Sequence, residues 1–66
     1  MDDSQLKQSM AYLINKYTLN RENLITLIYS DPDSVKYILS EMDANRTCVY
    51  SDEDLDLIKE IAYYYA

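Results

Sequence analysis

The stretch SDPDSVKYILSEM, Ser30 to Met42, decides how the rest of the chain is read. Proline at a first helical position loses no hydrogen bond, because that N–H has no partner in a helix, and an Asp just before it can accept from the free N–H groups of the first turn. Asp31-Pro32 has this form. Val35, Ile38, Leu39 and Met42 follow at i, i+3, i+4 and i+7, the spacing of one helix face. The segment therefore predicts a helix over 32–43, with its apolar side turned to a core.

The same period runs outward in both directions. Upstream, Leu6, Met10, Leu13, Ile14 and Tyr17 share a face and predict a helix over 4–17, capped by Asp3 or Ser4. Asn20 is placed to cap a short helix over 21–29 that carries Leu24, Ile25, Leu27 and Ile28. Downstream, Asp43 to Tyr50 reads as a loop. Ser51 followed by Asp52, Glu53 and Asp54 has the form of a helix start, with acids at the positive end of the dipole. Leu55, Ile58, Ala62 and Tyr65 define the inner stripe of a last helix over 52–65, with Leu57, Ile61 and Tyr64 beside it. The expectation is an all-α fold, a compact bundle of about four short helices in a single domain over 1–66. Leu39 and Ile58 sit at the centres of the two cleanest stripes. Alanine at either is expected to cost about 2–5 kcal/mol.

Composition removes whole classes of chemistry. The 66 residues contain no His, no Gly and a single Cys, Cys48. His-based triads and most zinc sites are excluded, as are an internal disulfide and a glycine-rich phosphate loop. Asp52-Glu53-Asp54-Leu55-Asp56 begins like a calcium loop, but the required Gly and Glu positions hold Leu57 and Tyr63. No catalytic residue, metal ligand or cofactor is expected, and the chain reads as a non-enzyme. No apolar run is long enough to span a bilayer, and the start of the sequence is acidic rather than basic. Asn45-Arg46-Thr47 matches a glycosylation sequon, a pattern common by chance. A cytoplasmic location without membrane contact is the expectation.

Charge and tyrosine carry the functional signal. The net charge is −6, and residues 43–66 hold six acids against Arg46 and Lys59. Asp52, Asp56 and Glu60 recur every four residues, which stacks like charges about 6 Å apart along a helix. Every aromatic ring is one of eight tyrosines. Tyr63, Tyr64 and Tyr65 are consecutive and fan across about 200° of a helix, so at least one must face outward. Tyr12 lies off its helix's apolar stripe and belongs with the exposed rings. A solvated acidic face is the plain reading. The sharper one is a partner surface of Asp52, Glu53, Asp56, Glu60, Tyr63 and Tyr64 for a basic or nucleic-acid-binding protein, by docking or by mimicry of nucleic-acid charge. Small acidic helical regulators of phages and mobile elements offer an analogy of size and charge.

Leu19, Leu24, Ile28, Val35 and Ile38, with the cap at Asp31 between two short helices, resemble the helix-turn-helix of the lambda-repressor and Cro type in degenerate form. The sequence departs from that pattern at Ile25, where the family has a small residue, and at Tyr29, where it has Gly. The resemblance implies that Pro32 to Met42 is the helix that would enter a DNA groove, as part of a dimeric transcriptional regulator. That helix holds Asp33, Lys36 and Glu41 and no Arg, Asn or Gln, whereas groove readers need cations and bidentate side chains. The sequence expectation is therefore an acidic protein-binding regulator or inhibitor. A Cro-like DNA binder and a homo-oligomeric assembly protein are the alternatives, and direct DNA binding is disfavoured.

Overall fold

The computed structural model describes residues 2–65. Helix α1 spans Asp3–Tyr17. Its cap is Asp2, not Asp3 or Ser4: the Gln5 N–H donates to Asp2 Oδ1 at 2.8 Å, and the Asp2 N–H donates back to Gln5 Oε1 at 3.1 Å. This reciprocal pair needs Gln or Glu three residues after the cap. Only Asp2 has one there; Asp3 would face Leu6 and Ser4 would face Lys7. Leu6, Met10, Leu13, Ile14 and Tyr17 form the buried face, as their spacing predicts.

Helix α2, Glu22–Ser30, begins without a side-chain cap. Asn20 takes a left-handed conformation at φ 56°, where Asn is tolerated better than most residues, so it turns the chain instead of capping it. Leu24 and Ile28 are buried and Ile25 and Leu27 pack partly against them. A single tight 3₁₀ turn, Pro32–Ser34, then leads into α3, Val35–Asn45. Asp31 accepts from the Asp33 N–H at 3.2 Å, and its carbonyl accepts from the Ser34 hydroxyl at 2.6 Å. Val35, Ile38 and Met42 are fully buried, whereas Leu39 is only partly so. Helix α3 runs past the expected end, and in its last turn Asn45 Nδ2 donates to the Glu41 carbonyl at 2.8 Å.

Helix α4, Asp52–Tyr65, starts where Ser51 Oγ accepts from the Asp54 N–H at 3.2 Å. Its inner face differs from the expected one. Asp54 and Ile61 are buried, Leu57, Ile58, Ala62 and Tyr65 are partly buried, and Leu55 is 38% exposed. At about 100° per residue, Leu55 and Asp54 cannot both face inward centrally. Donors from α1 claim Asp54, and Leu55 rotates outward. The largest costs of truncation accordingly move from Leu39 and Ile58 to the neighbouring Ile38 and Ile61.

One hydrophobic cluster draws on all four helices. Helix α1 contacts each of the other three. It runs antiparallel to α4: Asp54 lies beside Lys16 and Tyr17, and Tyr65 lies near Asp2 and Asp3 at the other end. Among the described residues there is no strand, and no helix is long and apolar enough to cross a membrane.

Candidate functional site

The core side of α4 leaves its opposite side free. On a helical projection, Asp52, Tyr63, Asp56, Glu60, Glu53 and Tyr64 fall, in that order, within an arc of about 120°, and Ile61 and Asp54 lie outside it. All six are exposed, Tyr63 at 83% and Tyr64 at 55%. The structure thus brings every predicted partner-surface residue onto one face about 20 Å long. Tyr63 and Tyr64 meet edge to face, with centroids 5.1 Å apart and planes at 89°, an arrangement favoured by the ring quadrupoles.

The acids of this face lack compensating cations. Among the described residues the ion pairs are Lys16–Asp54, at 2.7 Å, and Arg46–Asp43, at 3.5 Å. Asp52, Glu53, Asp56 and Glu60 join neither, and Lys59 stands at the edge of the arc. The surface is negative and partly aromatic, with neither a cleft nor a converging donor set. Among the described residues there is no pocket, and no three acids or thiols come together to hold a metal ion.

The fifth acid of α4 has a different role, which the sequence pattern did not reveal. Asp54 is withdrawn from the outer face and 5% exposed. Its Oδ1 accepts from the Tyr12 hydroxyl at 3.0 Å, and its Oδ2 from Lys16 Nζ at 2.7 Å and from the Tyr17 hydroxyl. Lys16 Nζ also donates to Tyr12 Oη at 3.0 Å, and the Ser51 N–H donates to Tyr17 Oη at 3.1 Å. Tyr12 is exposed along its ring, as expected, but its hydroxyl turns in to this cluster. A signal was available: Asp54 stands i, i+4, i+7, i+11 with Ile58, Ile61 and Tyr65, and Tyr12 and Lys16 are one turn apart on α1. A lone acid in an apolar register calls for a donor on the facing helix.

The charges follow from these bonds. Hydrogen bonds from Lys16 and then Tyr17 hold the Asp54 carboxyl well below the usual carboxylate range, against the opposing effect of burial. The bond to Asp54, with a lesser one to Tyr12, lifts the Lys16 ammonium above its ordinary value. Partial burial raises the Tyr65 phenol, and the Asp3 and Asp2 carboxylates add to the effect. No buried side-chain nitrogen or oxygen among the described residues lacks a partner, so every buried polar atom around Asp54 is satisfied.

A depressed carboxyl contributes stability that is fully present above the unfolded value, near pH 4, and is lost as pH falls through the lower folded value. The stability gap between the wild type and Asp54→Asn is therefore expected to be widest at neutral pH and to narrow steadily below pH ~4. Urea melts at several pH values measure it. A gap independent of pH would show that Asp54 is not held ionised by its neighbours.

The sequence and the fold match no family model, no curated protein and no solved structure. The functional reading therefore rests on the surface itself.

Proposed function

We propose that this chain is a non-enzymatic acidic regulatory protein. It binds a basic or nucleic-acid-binding protein through the outer face of α4 and so inhibits or redirects it, in the manner of small phage or mobile-element regulators. The observation that supports this reading is the sorting of the acids of α4. Asp54 is turned inward and neutralised by Lys16, whereas Asp52, Glu53, Asp56 and Glu60 share one exposed arc with Tyr63 and Tyr64 and have no ion partner among the described residues. Uncompensated charge of one sign steers an oppositely charged partner, and tyrosine supplies contact area at low conformational cost. Where the partner is a nucleic-acid-binding protein, the row Asp52, Asp56, Glu60 stands in for a run of phosphates. An exposed lone thiol, Cys48, fits a reducing, cytoplasmic setting.

The test is capture from a lysate of the source organism, or of its host if the source is a virus, with washes at low and high salt. Exposed charge attraction is screened over about 8–10 Å at physiological salt. A stoichiometric basic protein retained at low salt and released at high salt is the expected result. Retention that is flat with salt contradicts the electrostatic reading. Recovery of DNA alone favours the helix-turn-helix alternative. Self-association that is lost on deleting 63–66 favours the assembly alternative.

A further inference from the structure

The core is divided unequally between the helices. Of the eleven fully buried apolar side chains among the described residues, ten belong to α1, α2 and α3, and α4 supplies Ile61 alone. The rest of the apolar contact made by residues 47–65 comes from the partly buried Tyr50, Leu57, Ile58 and Tyr65. What distinguishes the attachment of this segment is polar, and it converges on one residue. The Tyr17 carbonyl accepts from the Thr47 N–H at 2.7 Å, and the Tyr17 hydroxyl accepts from the Ser51 N–H and donates to Asp54. The Tyr50 ring meets the Tyr17 ring edge-on at 4.7 Å. The chain from Thr47 to Asp54 is thus pinned at four points to the last residue of α1, with Lys16 and Tyr12 adding to the hold on Asp54.

Elements with few buried apolar contacts open before the rest of a fold, as cooperative pieces. We infer that residues 47–65 form a strap that opens from the α1–α3 unit as one piece, with Tyr17 and Asp54 as its latch. This holds whether or not the outer face of α4 binds a partner. If it does, the binding face travels with the strap.

The test is native-state amide exchange by NMR at low urea, under conditions where rates report opening equilibria. The slow amides of α4, at Ile58, Ile61 and Ala62, are expected to exchange about tenfold or more faster than those of Leu13, Ile14 and Ile38, with a smaller urea dependence. Two variants label the openings. Ile28→Val weakens α2, which stays folded when the strap opens. It should speed exchange in α1–α3 roughly three- to tenfold and leave α4 unchanged. Asp54→Asn removes bonds broken in both openings and should speed both classes by the same factor. Exchange of α4 and α1 at one common rate, or acceleration of α4 by Ile28→Val, overturns the strap. Exchange in α4 that is insensitive to Asp54→Asn overturns the latch.

Discussion

Replacing Leu13 by Ala is expected to lower the free energy of unfolding by about 2–5 kcal/mol, a large part of what so small a domain has. Leu13 is fully buried on α1, the helix that contacts the other three, so its truncation leaves a cavity in the shared core. Ile38→Ala and Ile61→Ala belong in the same range. Leu19→Ser serves as the contrast: the side chain is 73% exposed, so the change should fall within about 0.5 kcal/mol. Leu55→Ala should lie nearer to Leu19→Ser than to Ile61→Ala. Urea melts of these variants measure the ranking, and equal losses at Leu13 and Leu19 would show that the faces of the helices are misplaced.

Tyr17→Phe is the second large effect. The ring and its contact with Tyr50 are kept, but the hydroxyl that joins the Ser51 N–H to the Asp54 carboxylate is gone. The Asp54 carboxylate keeps Lys16 and Tyr12 but loses a buried donor, and the Ser51 N–H loses its acceptor, so a loss of about 1–3 kcal/mol is expected. The same deletion at Tyr63 or Tyr64 removes a hydroxyl from an exposed ring and should leave the melt nearly unchanged. Tyr17→Phe and Asp54→Asn should also be strongly non-additive, because the two side chains share one bond that the first change removes and the second weakens. Additive losses would mean that Tyr17 and Asp54 stabilise the fold through separate contacts.

The helices were legible because their signals were local and agreed with one another. Asp31-Pro32 with the Val35–Met42 stripe, and Ser51 with the acids behind it, each combine a start signal with a period, and the structure places α3 and α4 accordingly. The misjudged points were those where a choice depended on a partner. Asp2 wins the cap of α1 through Gln5, and Asn20 is drawn into the turn by backbone geometry. Leu55 loses its place in the core because Tyr12, Lys16 and Tyr17, some 40 residues earlier, hold the adjacent Asp54. Periodicity ranks faces by hydropathy, so it cannot foresee that a carboxylate with three donors will outcompete a leucine.

The outer face of α4 was legible for the converse reason. Four-residue spacing puts Asp52, Asp56 and Glu60 together on any helix, and the fan of three tyrosines must send one ring outward. Counting the acids alone leaves Asp54 unseparated from the rest, although its register with Ile58, Ile61 and Tyr65 marks it, and that separation distinguishes an anchor from a free surface. The exposed charge of α4 is therefore smaller than its composition implies, but it is all on one side.

On the proposed reading, this side of α4 recognises a partner through its charge. The most direct measurement is capture at low salt with the triple variant Asp52→Asn, Asp56→Asn, Glu60→Gln beside the wild type, with helix content checked by circular dichroism. These three side chains are exposed and make no ion pair among the described residues, so the fold should be unchanged. The variant is expected to keep its helices and lose the salt-sensitive partner. Equal retention of that partner by a folded variant would contradict it.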